Sequence, residues 1–214
     1  MKKLLLIVVA TFFVSNLFAQ DLQKNIFGIK AGANYSTFEI SGIELGYTVG
    51  VNGGLSYERL LAKNIPMYLE TGLLYSGKGM ESAYFFDEGK YKLSLHFLQV
   101  PLMLNYKFNI SKSFSIYPSV GLYFGFAVAG IEKDIYESQY GTTIDTYNIF
   151  EEGDFPRPDF GCRFSLSFAL KRFVLSAGYE KSILAIGDES SDYYDEISLG
   201  GKFSNYFVSL GVNF

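Results

Sequence analysis

The chain has no tryptophan, one cysteine, one histidine and five prolines in 214 residues, and only 19% of its residues carry charge. A single cysteine, Cys162, cannot form an intramolecular disulfide. Together with the single His96 it offers none of the Cys and His spacings that structural zinc sites require. Basic residues are also scarce, with 18 Lys+Arg against 22 Asp+Glu and a net charge of −4. An acidic chain makes a poor nucleic-acid binder. No segment after residue 21 sustains a 3.6-residue apolar period long enough for a helix. What is plentiful is aromatic residues and glycine, with 17 Tyr, 21 Phe and 22 Gly, a composition suited to twisted strands and tight turns.

The opening stretch, "MKKLLLIVVATFFVSNLFAQ", sets Lys2 and Lys3 before an apolar run from Leu4 to Val14 and ends in "FAQ". That order predicts a secretory signal peptide over residues 1–19, cut after Ala19, with a single domain over residues 20–214. The run is shorter than the ~20 residues of a spanning helix. Loss of Lys2 and Lys3 leaves 16 basic against 22 acidic residues, a mature charge of about −6. Cys162 lies far from the cleavage region, which argues against a lipoprotein anchor.

Period-two alternation then recurs eight times. In "LQVPLMLNYKF", Leu98, Val100, Leu102, Leu104, Tyr106 and Phe108 occupy one parity and Gln99, Asn105 and Lys107 the other. Successive strand side chains point to opposite faces, so one face is apolar and one polar. The remaining strands are expected over residues 27–36, 47–58, 67–78, 114–128, 160–170, 173–182 and 205–214, with the quoted stretch reaching back to Leu93. Pro101 and Pro118 each remove a ladder donor inside a strand, and a bulge or local distortion is expected near them. Connections alternate: short ones follow the second, fourth and sixth strands, long ones the first, third, fifth and seventh, the longest running from Ala129 to Asp159. Outer-membrane barrels have short periplasmic turns and long outside loops.

A soluble sheet turns its apolar face inward and meets water with dense charge. Here the polar face is mainly Gly, Ser, Asn and Thr, which suits the crowded lumen of an eight-stranded barrel. Its charges come in both signs, Lys30, Lys107 and Arg163 against Glu58, Glu70 and Glu180, a lumen cluster expected to stabilise the barrel rather than do acid or base chemistry. Counting back from the "LKR" turn sets Arg163 near Glu180. Tyr35, Tyr47, Tyr57, Tyr75, Tyr106, Tyr179 and Phe214 fall toward strand ends on the apolar face, where an interfacial girdle belongs.

The segments "GIKAGANYSTF", "LETGLLYSGKG", "LQVPLMLNYKF", "YPSVGLYFGF", "DFGCRFSLSFAL" and "FVSLGVNF" resemble the PorT-like outer-membrane β-barrel family of Bacteroidetes. The resemblance covers nearly all of the mature chain and implies fold more than activity. The terminal Phe214 is similar to the signal that barrel-assembly machinery reads. Some members are linked to secretion or gliding systems, which the resemblance offers as one role.

The candidates for chemistry are few. Ser94 and His96 share a face two residues apart, a spacing similar to that of lipid A deacylases, but no orienting acid accompanies them. Cys162 shares its parity with Phe164, Leu166 and Phe168 and reads as a lipid-facing residue. Glu151, Glu152, Asp154, Asp188, Glu189 and Asp192 are acidic loop residues without a calcium-loop pattern. Tyr136, Tyr140, Tyr147, Phe150, Phe155, Tyr193 and Tyr194 either bind a glycan or protein at the cell surface or pack on each other in a hairpin above the membrane.

The expected protein is therefore an all-β, eight-stranded, antiparallel, up-and-down transmembrane β-barrel with short periplasmic turns and long extracellular loops. It is expected to be a monomer in the bacterial outer membrane, in contact with outer-membrane lipid. No enzyme activity, cofactor, metal or nucleic-acid partner is expected. The leading role is structural or interactive, through loops that meet an envelope protein, a surface protein or a glycan. The alternatives are an accessory part of a PorT-like secretion or transport system, a lipid A-modifying barrel enzyme, or a soluble lipocalin-like ligand binder.

Overall fold

A computed structural model describes residues 23–40, 43–83, 89–138, 141–151, 156–184 and 201–214. The expected signal peptide over residues 1–19 lies outside them, as do Tyr140, Glu152, Asp154, Phe155, Asp188, Glu189, Asp192, Tyr193 and Tyr194. The described strands, in chain order, are β1 (Asn25–Ile40), β2 (Ile43–Glu44), β3 (Thr48–Ala62), β4 (Ile65–Ala83), β5 (Gly89–Tyr106), β6 (Phe108–Asn109), β7 (Phe114–Ser138), β8 (Gly141–Asn148), β9 (Pro158–Leu170), β10 (Phe173–Ser182) and β11 (Gly201–Asn213). The eight long strands β1, β3, β4, β5, β7, β9, β10 and β11 lie side by side in that order, every pair antiparallel. β11 then pairs with β1, from Gly28 opposite Asn213 to Ile40 opposite Gly201, and closes the sheet into an up-and-down barrel of eight strands. The short β2 leans on β1, and β6 and β8 both lean on β7.

The side chains are arranged inside out. On β5, Leu98, Val100, Leu102 and Leu104 are exposed, Leu102 at 53%, while the intervening Gln99 and Asn105 are buried at 1% and 0%. The same alternation exposes Phe27, Ile29 and Tyr35 on β1 and buries Asn34 and Ser36. In water this distribution would forfeit the hydrophobic driving force on most of the wall. In hydrocarbon it is the stable arrangement, because closing the sheet leaves no unpaired edge and lipid solvates the aliphatic side chains. Tyrosines end the apolar band: Tyr35 stacks on Tyr47 with ring centroids 4.6 Å apart, and Tyr179 tilts against Tyr206 at 4.9 Å. At the opposite end Phe27 meets Tyr57 at 5.0 Å, whose hydroxyl donates to Asn25 Oδ1 at 2.8 Å. Cys162 is half-buried in this outer wall.

The short turns gather at one end. Lys63 and Asn64 join β3 to β4, and Lys171 and Arg172 join β9 to β10, with Lys171 in the left-handed region at φ 54°. Strands run further at the other end than the apolar stretches alone indicate. β4 and β5 continue until residues 84–88 alone separate them, and β7 continues to Ser138 and returns as β8, so much of the expected loop from Ala129 to Asp159 is a hairpin. The prolines show the expected local distortion and no bulge, because neither coincides with a change of register. Pro101 stays opposite Tyr123 and Pro118 opposite Leu166, whereas the register shifts occur at Leu60/Ala62 and at His96/Phe97. Beside Pro101 the β4 partners pass from Thr71↔Leu102 to Leu74↔Gln99 in the same register, so the ring costs a local gap in the ladder and not a slip.

The shift at His96/Phe97 decides which β7 side chains reach the outer wall. His96 faces Ala129 and Phe97 faces Ala127, so Val128 is skipped. A skipped residue inverts the faces of the strand beyond it. Below it Tyr117, Tyr123 and Ala127 are buried inside, and above it Gly130 faces inward beside Leu95 while Ile131 and Lys133 turn outward.

Candidate functional site

The lumen is the first candidate, and it is built in storeys. Nearest the short turns, Glu58 of β3 and Glu70 of β4 are register partners, which puts two carboxylates side by side. Like charges directly opposite one another destabilise a sheet unless each is compensated. Lys30 of β1 binds Glu70, Lys107 binds Glu58 at 2.7 Å, and Asn105 Nδ2 donates to Glu70 Oε2 at 2.8 Å and to Glu58 Oε2 at 3.4 Å. Lys107 Nζ also lies over the Tyr68 and Tyr117 rings, 4.6 and 4.8 Å from their centroids, where ring faces attract a cation. Lys30 reaches Glu70 from two strands away; its partner on the intervening β3 is Gly54, which puts no side chain in the way.

The next storey centres on Lys78, whose side chain is completely buried. Its ammonium lies 3.0 Å from Asp159 Oδ2 and 3.1 Å from Glu180 Oε2, and donates to Tyr123 Oη at 3.3 Å. Glu180 also binds Arg163, its register partner on β9, and accepts from Asn205 Nδ2 at 3.0 Å. Arg163 packs on Phe207, with its guanidinium carbon 3.9 Å from the ring centroid. Lys30, Glu58, Glu70, Lys107, Arg163 and Glu180 are thus all in ion pairs in the lumen, in two groups. Lys78 and Asp159 complete the second group, and sequence reasoning left both out. The parity that puts Glu70 inside also puts Lys78 inside, and the parity that puts Arg163 inside does the same for Asp159.

Above Lys78 the lumen changes character. Phe38, Met80, Leu93, Leu95, Phe97, Ala127 and Phe203 form a buried apolar cluster, against which Ile40, Leu45, Tyr91, Ile149 and Phe150 pack. Phe203 meets Phe38 edge-on at 4.8 Å and Phe97 at 6.0 Å. The polar-face reading of the sequence did not anticipate this cluster, although Leu93, Leu95 and Phe97 share the parity of Gln99. Among the described residues, ion-paired charges line the lower lumen and interlocked rings the upper, in keeping with the narrow interior of an eight-stranded barrel. A furrow of about 590 Å³ lies on the outer wall, lined by Leu104, Val120, Phe164, Leu166, Ala177 and Tyr179 among others.

The β3–β4 ladder stops at Asn52↔Ser76. Beyond it, β1 side chains satisfy the β4 backbone: Asn34 Nδ2 donates to Gly77 O at 2.9 Å, Ser36 Oγ to Gly79 O at 3.1 Å, and Gly79 N to Ser36 Oγ at 2.8 Å. These bonds seal the seam with few backbone pairs.

The sequence profile of the outer membrane protein beta-barrel domain matches residues 18–186, most of the chain. The chain belongs to that family. Its barrel therefore sits in the bacterial outer membrane, with the aliphatic face toward lipid. Comparison with curated proteins gave no match. Among solved structures the chain is similar to Ail, the attachment invasion locus protein of Yersinia pestis, at 15% identity over 90% of this chain and all of that one, with a TM-score of 0.43. It is similar to Neisserial surface protein A at 14% identity, covering 88% of this chain and 97% of that one, TM-score 0.42. It is also similar to the outer membrane protease OmpT of Escherichia coli at 9% identity, covering 92% and 99%, TM-score 0.42.

Within this family framework Ser94, His96 and Cys162 fall on the outer wall, Tyr136 and Tyr147 on the β7–β8 hairpin, and Phe150 against the lumen cluster. Ser94 and His96 both lie on the outward face of β5, as expected, and His96 Nδ1 is bonded to Tyr75 Oη rather than to Ser94. Their register partners are Gly79 and Gly77 on β4 and Ile131 and Ala129 on β7, so no carboxylate stands beside either. Among the described residues no group of three or more His, Cys, Asp or Glu is arranged to hold a metal ion. The β7–β8 hairpin carries Tyr136 and Tyr147, both exposed.

Proposed function

We propose that this barrel is a non-enzymatic interaction protein of the outer membrane that engages a surface protein or glycan through the β7–β8 hairpin. The observation that carries the reading is the hairpin itself. All eight residues of β8 are exposed, and Ile144, Tyr136 and Tyr147 present apolar area to solvent. Ordered strand offers a partner a surface that costs little entropy to fix, and aromatic side chains supply much of the contact energy at interfaces. The described lumen side chains support the same reading, because they are engaged in ion pairs below and in a packed apolar cluster above. The hairpin lies at the end away from the short turns, which is the cell exterior in barrels of this layout.

The test is site-specific photocrosslinking in intact cells. A crosslinker in place of Ile144 or Tyr147 should yield a discrete protein or glycan adduct, and one in place of Leu122, on the lipid face, should yield none. Absence of adducts from both hairpin positions, with the barrel folded at the surface, would overturn the reading. Stepwise conductance of the purified protein in planar bilayers would favour a transport role instead.

A further inference from the structure

Three lysines share the outer wall just above the apolar band. Lys92 of β5 and Lys133 of β7 are register partners, and Lys90 lies two residues along β5 on the same face. Lys133 points outward because of the residue skipped at Val128. Like charges directly opposite one another repel, and among the described residues neither Lys92 nor Lys133 has an acid within ion-pair reach. The described acid on this face is Glu81, partner of Lys92 across the β4 ladder and 3.9 Å from Lys90. The outward neighbours of Lys133 and Ile131 on β8 are Thr146 and Asn148, both uncharged. Among the described residues, three cations against one carboxylate give the patch a surplus of about two positive charges.

What lies beneath the patch points to its occupant. One step toward the membrane Ser94 stands between Gly79 on β4 and the outward Ile131 on β7, and the next row sets His96 between Gly77 and Ala129. His96 is held by Tyr75, whose ring stacks on the imidazole with centroids 5.8 Å apart. Below them the aliphatic band begins at Leu98 and Phe126, both exposed. At about 3.3 Å per residue and a tilt of about 40°, the six residues from Leu98 to Lys92 place the lysine backbone roughly 15 Å above the hydrocarbon edge. A lysine stem folding down the wall brings its ammonium several ångströms nearer. From the membrane outward the wall therefore offers an acyl surface, the polar side chains of Ser94, His96 and Tyr75 beside Ile131, and the ammonium groups of Lys92 and Lys133.

We propose that this wall is a docking site for the phosphate-bearing headgroup of an outer-leaflet glycolipid, with phosphate on Lys92 and Lys133, sugar against Ser94 and His96, and acyl chains on Leu98 and Phe126. The anion removes the repulsion between the two lysines. The site gives Ser94 and His96 a positioning role in lipid contact without requiring a nucleophile and base.

The test uses the full barrel in phosphatidylcholine nanodiscs doped with phosphorylated lipid A, with the same lipid A stripped of phosphate, or with inorganic phosphate at equal concentration. Lipid retained after detergent exchange is counted by mass spectrometry. Wild type should retain phosphorylated lipid A and lose the stripped form, and inorganic phosphate should not displace it. Lys92→Gln with Lys133→Gln should weaken retention roughly thirtyfold, from the attraction each basic side chain contributes near an anionic surface. Lys92→Arg with Lys133→Arg should preserve it, as should Lys63→Gln with Lys112→Gln at the opposite end. Equal retention of both lipid A forms by wild type overturns the proposal whether or not the glutamine variant folds. Undiminished retention by a folded glutamine variant, or displacement by inorganic phosphate, does so as well.

Discussion

Lys78→Met removes one ammonium from the middle of the lumen and keeps most of the stem. In the wild type that ammonium serves Asp159 at 3.0 Å and Glu180 at 3.1 Å, and none of the three side chains has more than 1% exposure. The two carboxylates differ in what remains. Glu180 keeps Arg163 and the Asn205 amide, whereas Asp159 loses its cation, and its Oδ1 already lacks a protein partner. Stripping one partner from a buried pair costs about 3–5 kcal/mol, because the other charge stays desolvated and uncompensated. The Lys78 contact with the Tyr123 ring, 4.4 Å from its centroid, goes too. Replacing both members is often close to neutral, so adding Asp159→Asn to Lys78→Met should recover most of the loss. The assay is urea unfolding and refolding in phosphatidylcholine vesicles, monitored by heat-modifiable migration in gels. A Lys78→Met barrel within about 0.5 kcal/mol of wild type, or a double variant no better than the single, would refute the reasoning.

Three further outcomes rest on the same geometry. Leu102→Arg sets a charge on the lipid face near mid-membrane and should cost about 2–4 kcal/mol, seen as loss of the fast-migrating folded band. Gly32→Val should prevent closure of β1 on β11, since a Cβ there would lie 1.9 Å from the Val208 carbonyl oxygen and 2.6 Å from Ser209 Cα; the check is whether any heat-modifiable form appears. Protease added to whole cells should cut within the β7–β8 hairpin and spare the Lys171–Arg172 turn, and full protection of the hairpin would reverse the assigned orientation.

Much of this architecture was legible in the sequence because a lipid-facing barrel wall has a simple rule, alternation with period two, and the chain obeys it wherever hydrocarbon is the solvent. Leu98, Leu102 and Gln99 sort by parity alone. Arg163 and Glu180 could be set opposite one another because a two-residue turn fixes register. What the pattern hid lies where that solvent changes. Lys78 and Asp159 fall past the ends of the apolar stretches, at the edge of an expected strand and of an expected loop, although their parity already assigns them to the lumen. Leu93, Leu95 and Phe97 also face inward, but an apolar residue on the polar face conveys nothing until its neighbours across the barrel, Phe38 and Phe203, are known. Lys133 needed the inversion at Val128, which leaves no trace in local composition. The prolines were legible as local distortions, because a missing donor leaves a gap in a ladder, and a gap need not shift the register.

The central claim is that lipid, not polypeptide, solvates the apolar side of this sheet. The absence of native tryptophan makes it directly measurable, because a single introduced indole reports without background. Leu102→Trp and Leu166→Trp in vesicles of brominated phosphatidylcholine should be strongly quenched, and Tyr117→Trp, inside the lumen, should not. Unquenched emission from Leu102→Trp and Leu166→Trp in a folded, vesicle-inserted barrel would contradict the account.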